Sequence, residues 1–377
     1  AEVFDADGSA APFLEFAEIA DGWQFSHEGR FTYSGTTLRA SFGWNAFIED
    51  GRQNVPFATE EGTFLQCLSS LFGAPLIPAI PYASVFENQG RNEAYSLFAD
   101  ATYILWDRLE LTAGVRFLSE YRRSGFFANV PNSVLSRAAL IPGQIDTAGL
   151  TYTADDRFSA WLPRFNALYR ISDDVNVFAT VSKGRRSPVI NVAARRVSGV
   201  SQPNVTNIAE ETVWNYEGGL KLATGPVSGS VGVYYQVYND FQVSVAQRDA
   251  NGNPTGAFVT QSAGRASNLG VEAELAVDVT DWFTVFGNAG YIDGGIDEDG
   301  AFSPAFSGAR FRLQPEWQAS GGVTIDKEFA NGVRVFATPS VTYRSRIFFE
   351  VPNNPLIAQN AVTLVNARAG VSFAEDR

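Results

Sequence analysis

A sustained two-residue alternation is the feature that most narrows what this chain can fold into. From Tyr95 to Leu105 one set of alternate positions reads Tyr95, Leu97, Ala99, Ala101, Tyr103 and Leu105, while the other set carries Ser96, Asp100 and Thr102. The pattern returns with Leu109, Leu111, Ala113, Val115 and Phe117 against Glu110, Thr112, Arg116 and Glu120. Strand side chains point alternately to opposite faces, so each segment has one apolar and one polar face. The same reading predicts thirteen strands, at 23–33, 36–48, 92–105, 109–123, 161–171, 174–183, 211–222, 227–241, 267–279, 282–292, 312–328, 333–346 and 361–373. Most exceed the usual length of about 5 to 6 residues, and they are too long for a sandwich.

The connections alternate as regularly as the strands. Short turns fall at Ser34-Gly35, Asp107, Ser172-Asp173, Gly225-Pro226, Thr280-Asp281 and Asn331-Gly332, all Gly, Pro, Asn, Asp or Ser signals. Long connections run over 49–91, 124–159, 185–208, 242–266, 293–309 and 350–360. An antiparallel meander with tight turns at one end and long loops at the other is the layout of an outer-membrane barrel. A short helix is expected over Glu60 to Leu71, inside the first long loop.

Charge decides between a lipid-facing sheet and a water-soluble one. The alternating cores assigned to the outside, such as Leu269, Val271, Ala273, Leu275 and Val277, or Val333, Val335, Ala337 and Val341, hold no Asp, Glu, Lys or Arg. The opposite sets carry Glu28, Arg30, Arg39, Arg116, Arg164, Arg170, Glu217, Lys221, Glu272, Glu274, Asp278, Arg334, Arg344 and Arg368. A lipid-facing charge costs about 2 to 4 kcal/mol at the bilayer midplane, whereas a wet lumen accepts it. Aromatics at strand ends, among them Trp23, Tyr33, Trp44, Tyr103, Tyr121, Tyr169, Trp214, Tyr291, Trp317 and Tyr343, fall in the outward sets, where interfacial rings are favoured. His27 is also outward and is placed above the lipid, and Pro339, inside a strand, predicts a bulge.

The rest of the composition excludes other classes. The most apolar stretch, Leu71 to Phe86, is broken by Pro75, Pro78 and Pro81 and cannot be a membrane-spanning helix. With 28 Lys and Arg against 41 Asp and Glu, the chain lacks the basic excess a nucleic-acid surface needs. One His and one Cys leave no two-histidine chemistry and no Cys and His zinc set, and no cofactor is expected. Glu272 and Glu274 read as lumen residues rather than an acid and base pair. Asp293, Asp297, Glu298 and Asp299 miss the spacing of a calcium loop and read as a solvated loop; Cys67 reads as a buried or loop thiol, with a bridge to residues outside this sequence as the alternative.

No composition shift marks a linker, so residues 1–377 read as one architecture. With the short turns periplasmic, the segment from Trp23 runs inward and 1–21 reads as part of an external loop. About thirteen strands starting outside do not close an even-stranded barrel, so further strands are expected before Ala1 and after Arg377.

Several motifs go beyond alternation. Glu93-Ala94-Tyr95-Ser96-Leu97-Phe98-Ala99 continued by Ala113-Gly114-Val115-Arg116, Val177 to Pro188, Glu210-Glu211 followed by Asn215 to Lys221, Tyr343-Arg344-Ser345, and Leu364 to Arg368 resemble, in order, the barrel of TonB-dependent outer-membrane receptors. The resemblance spans roughly 20–377 and implies an all-β transmembrane antiparallel barrel of about 22 strands, of which this chain supplies about thirteen. It further implies a plug domain and a TonB motif that are not among these residues, a Gram-negative outer-membrane location with outer-membrane lipid around the wall, the TonB energy-coupling complex as partner, and a scarce nutrient as cargo. That cargo is expected to be a ferric siderophore, with vitamin B12, haem or glycans carried by other members. A passive channel or surface-adhesion barrel would share the strand pattern.

Candidate cargo-binding residues are those near the long-loop end: Arg122, Arg123, Lys183, Arg185, Arg186, Arg195 and Arg196, with Phe126, Phe127, Phe348 and Phe349. The cations suit an anionic metal chelate and the rings suit stacking on a ligand ring.

Overall fold

A computed structural model describes residues 2–5, 15–68, 80–141, 143–248, 254–330 and 332–373. Pro75, Pro78, the turn residue Asn331 and the terminal Glu375 to Arg377 lie outside the described residues. In chain order, β1 (Glu2–Asp5), β2 (Glu15–Ser34), β3 (Leu38–Glu60), α1 (Glu61–Leu68), β4 (Pro81–Leu105), β5 (Leu109–Asn129), β6 (Tyr152–Arg170) and β7 (Val175–Arg186) lead to a separate hairpin, β8 (Val189–Val197) and β9 (Val200–Ile208). The wall resumes with β10 (Glu211–Thr224) and β11 (Val227–Asn239), and a second hairpin follows, β12 (Gln242–Arg248) and β13 (Pro254–Ser262). It continues through β14 (Gly264–Thr280), β15 (Phe283–Ala301), β16 (Trp317–Glu328) and β17 (Val333–Arg344). A two-residue pair, β18 (Ile347–Phe348) with β19 (Ala358–Gln359), precedes β20 (Val362–Phe373).

Fourteen of these strands form one antiparallel sheet in the order β1-β2-β3-β4-β5-β6-β7-β10-β11-β14-β15-β16-β17-β20. The thirteen long ones are the thirteen expected, in the expected order. Each wall strand pairs with the next in sequence, so the six tight connections, such as 105–109 and 224–227, share one end and the long connections share the other. At the tight end Gly225 takes a positive φ of 51°, which glycine adopts without a Cβ clash.

Register sets the faces. Outward rows run across neighbouring strands as Gly29–Trp44–Leu97–Phe117–Trp161 and Tyr33–Ala40–Ala101–Ala113–Phe165. Trp161, Phe165, Leu97 and Tyr33 are all more than half exposed, as lipid-facing side chains must be. Three rows above Trp44, the same face turns charged, with Asp50, Arg91, Arg123 and Asp155 aligned. On β4 the distance from Tyr103 up to Glu93 is ten residues. At about 3.3 Å per residue and a tilt near 40°, that spans about 25 Å, the height of an outer-membrane apolar band.

Charge does enter the outward register at segment ends, outside the alternating cores. Glu93 and Arg123 lie on the long-loop side, and Lys183 faces Trp214 there. Lys327 lies at the tight-turn end, its Nζ 4.7 Å from the Trp282 ring centroid, an interfacial cation over an interfacial ring. His27 stacks on Trp44 at 6.2 Å, inside the upper aromatic girdle.

Four expectations need correction. The expected loop 49–91 is largely strand, because β3 and β4 stay paired from Leu38↔Tyr103 up to Glu60↔Pro81. The lower part of that extension is rich in Asn, Gln and Gly, and the buried face of its upper part mixes Phe57 and Tyr82 with Thr59 and Ser84, so no clean apolar alternation marks it. The connections 185–208 and 242–266 are hairpins rather than open loops. The external segment 1–21 contributes β1 and the first turns of pairing of β2. Pro339 produces no bulge: β16 and β17 keep one register from Gln318↔Arg344 to Glu328↔Arg334, and only the ladder around Val323 is interrupted. The missing Pro339 N–H accounts for that gap. The helix predicted over 60–71 is α1 over Glu61–Leu68, with 69–71 outside the described residues, and Cys67 lies in its last turn.

The apolar cores sit in the long-loop layer. Phe57, Phe64, Tyr82 and Leu140 form one cluster, and Val243, Ala266, Ile296, Phe306 and Val351 form another. The inner wall is polar, and its aromatics lie flat over glycines of the adjacent strand. A Cβ on Gly43 would come within 2.4 Å of Phe98, and one on Gly270 within 2.1 Å of Tyr234. The missing Cβ is what lets each ring rest on bare backbone.

Candidate ligand-binding mouth of the lumen

At the long-loop end the β8–β9 hairpin folds against β5 and β6. Pro163 sets this up by ending the β6–β7 ladder at Arg164↔Ser182, while β5 and β6 stay paired up to Phe126↔Tyr152. Tyr152 Oη, on the part of β6 that β7 leaves unpaired, shares a 3.0 Å hydrogen bond with Ser201 of the hairpin.

The hairpin root is held by charge. Glu120 is 3% exposed and accepts hydrogen bonds from Arg122, Arg185 and, at 2.9 Å, the Ser187 hydroxyl. Arg185 also reaches Glu210 at 3.2 Å, and Arg122 Nη1 donates to the Pro188 carbonyl at 3.1 Å. A second clasp centres on Gln242. Its amide donates to the carbonyls of Ser187 and Ala209, its backbone N–H donates to Glu211 at 2.7 Å, and its carbonyl accepts from Arg186 at 3.1 Å. Burial raises the Glu211 pKa, against the lowering effects of the Gln242 N–H and Arg186.

The structure therefore gathers Arg122, Arg185 and Arg186 but commits them to the hairpin root. The other predicted residues lie apart. Arg123 is exposed on the outward register opposite Arg91 and Asp155, and Lys183 lies opposite Trp214. Arg195 and Arg196 are exposed near the tip of the hairpin on β8, opposite Gln202 and Ser201. Phe126 packs on Phe86 at 6.3 Å, Phe127 is its outward neighbour opposite Glu87, and Phe348 and Phe349 belong to the β18–β19 connection. Near the root, a concavity of about 790 Å³ lies over the glycine row Gly22, Gly51 and Gly90, edged by Gln24, Glu49, Asn92 and Arg122. A Cβ on Gly90 would meet nothing within 4 Å.

Sequence reasoning missed Glu120, Glu210, Glu211 and Gln242 as partners of those cations. Glu120 and Arg122, two apart and hence on one face, were the available signal. Asp293, Asp297, Glu298 and Asp299, expected in a loop, lie within the extended β15, because its pairing with β14 continues to Gly264↔Ala301; Asp297 pairs with Arg265 at 2.7 Å and accepts from Ser267, and no group of three potential metal ligands occurs among the described residues.

The sheet, its lipid-facing band and its polar inner wall define an outer-membrane β-barrel, and the chain belongs to the TonB-dependent receptor-like β-barrel family, whose model matches residues 5–376. The pesticin receptor of Yersinia enterocolitica is 23% identical over 268 residues, covering 68% of this chain and 35% of that protein. The ferric yersiniabactin uptake receptor FyuA of Yersinia pestis shares the fold with a TM-score of 0.68 at 18% identity, over 94% of this chain and 47% of that one. BauA, the ferric preacinetobactin receptor of Acinetobacter baumannii, gives 0.60 at 15% identity, over 96% and 49%. The chain thus spans about a third of that curated relative and about half of those solved structures.

Proposed function

We propose that this chain is the barrel wall of a TonB-coupled importer that carries a ferric siderophore across the outer membrane. The observation that carries the reading is the mouth: a wet inner wall leads to a root of paired charges, centred on the buried Arg185–Glu120 pair, that holds a hairpin beside the lumen. Names of similar proteins, a ferric yersiniabactin uptake receptor and a ferric preacinetobactin receptor, support the iron-chelate cargo. Arg195, Arg196, Phe126, Phe348 and Phe349 are the loop groups through which an anionic chelate would first be met, by charge and by stacking. Arg123 and Lys183, on the outward register, are reassigned to the membrane-facing rim.

A barrel of this class encloses an opening that must be closed at rest, so a plug domain within the lumen and the TonB energy-coupling complex belong to the same proposal. The test is uptake of radiolabelled ferric siderophores by cells expressing the intact gene, with and without a functional TonB protein. TonB-dependent uptake supports the reading. Uptake that persists unchanged without TonB would make the protein a passive channel.

A further inference from the structure

The outer surface carries a charged patch that neither the lumen nor the hairpin root uses. Above the apolar band, β4, β5 and β6 bring Arg91, Arg123 and Arg157 together on the outward register. Arg91 lies directly opposite Arg123, and Arg123 is the diagonal neighbour of Arg157, which faces Tyr121. Each arginine stands twelve residues above the tight-turn edge of the band on its own strand, marked by Tyr103, Leu111 and Tyr169 in turn. At about 3.3 Å per residue and a tilt near 40°, twelve residues rise about 30 Å, against an apolar band about 25 Å tall. The three guanidinium groups therefore stand at headgroup level.

Like charges directly opposite each other destabilise a strand pair. Arg91 is answered within the protein, by Glu93 at 2.8 Å and Asp50 at 3.5 Å. Arg123 and Arg157 are not: both are exposed, and neither forms an ion pair among the described residues. Asp155, opposite Arg123, is exposed and likewise unpaired, which leaves two free guanidinium groups against one free carboxylate. Arg157 rests on Tyr121 with its Cζ 5.3 Å from the ring centroid, a seat that leaves its in-plane N–H donors open. Below the patch on the same face lie Leu97, Phe117 and Trp161, the two rings 4.8 Å apart. An amphiphile whose acyl chains cover those side chains carries its headgroup to Arg123 and Arg157. The neighbouring wall strands, β3 and β7, belong to this chain, and the face points away from the lumen, so neither further wall strands nor a domain inside the lumen would cover it.

We infer that Arg123 and Arg157 form a docking site for the phosphate headgroup of an outer-leaflet lipid. The phosphate oxygens accept N–H donors from both guanidinium groups, and the added negative charge offsets the repulsion between Arg91 and Arg123 from outside the wall. The site is independent of what the barrel carries.

The experiment uses the full-length protein in dodecylmaltoside micelles, with dioleoylphosphatidic acid as probe and native mass spectrometry to count bound lipid. Dioleoylglycerol, which has the same acyl chains and no phosphate, should bind far more weakly. Arg123→Gln combined with Arg157→Gln should weaken phosphatidic acid binding by about tenfold or more, the factor expected for lost charge-assisted contacts. Arg265→Gln, which removes a cation on the same face already paired with Asp297, should leave the affinity unchanged. Equal binding of the two lipids, or equal binding of phosphatidic acid by wild type and the double variant, would overturn the assignment. So would an equal loss in Arg265→Gln, which would reduce the effect to overall charge, and displacement of the lipid by equimolar inorganic phosphate, which would make this a free-anion site.

Discussion

Arg185 and Glu120 form an ion pair in which both side chains are withdrawn from solvent, 3% and 2% exposed, although 65 residues separate them in sequence. Such a pair contributes little relative to an apolar replacement, yet removing one member strands the other. That cost is typically about 3 to 5 kcal/mol. Here Arg122 and Ser187 share Glu120, so the pair fixes the hairpin root rather than a single contact.

Replacing Arg185 with Ala should therefore loosen the β8–β9 hairpin while the membrane-spanning wall persists. Amide exchange in residues 189–208 should accelerate, and exchange in β14 and β15 should stay at the wild-type rate. Acceleration spread evenly over the sheet would refute a local root.

Glu61 gives a prediction with a definite sign. Burial raises its pKa, but hydrogen bonds from the Ser133 hydroxyl at 2.6 Å and the N–H groups of Leu135 and Val134, both at 2.9 Å, outweigh that, and the folded value lies below 4.5. A carboxylate whose folded pKa is depressed contributes stability that is complete above its unfolded pKa and is lost as pH falls through the folded one. Protection of the Val134 and Leu135 amides should accordingly fall below about pH 4.5, and Glu61→Gln should abolish that dependence.

Face assignment is open to cysteine labelling in a Cys67→Ser background. Val115, Val271, Leu275 and Val335 replaced by Cys should react with a lipid-soluble thiol probe, while Arg116, Glu272, Glu274 and Arg334 replaced by Cys should react with an aqueous one. Equal labelling of both sets by the lipid-soluble probe is incompatible with the barrel.

Two glycines separate steric from conformational roles. At Gly43 a Cβ would lie 2.4 Å from Phe98 and 2.5 Å from the Gly29 carbonyl, so Gly43→Val should destabilise by about 1 to 3 kcal/mol. At Gly90 a Cβ meets nothing, and Gly90→Ala should stay within about 0.5 kcal/mol. Unfolding midpoints in urea with lipid vesicles would compare them.

The sequence by itself determined the wall. Wherever one face meets lipid and the other water, the two faces demand different side chains, and a period of two is the unavoidable trace; the strand order, the alternation of tight and long ends and the side on which Arg116 and Glu272 lie all followed from it. It did not determine what happens above the membrane. There no face meets lipid, and the buried side mixes polar with apolar residues, so β3 and β4 extend to Glu60 and Pro81 with no clean apolar alternation to announce it. Nor could it assign Arg185 to Glu120 or Phe98 to Gly43. Those partnerships depend on which residues the register brings opposite each other and on where Pro163 opens the ladder, and both are properties of the assembled sheet rather than of any one strand.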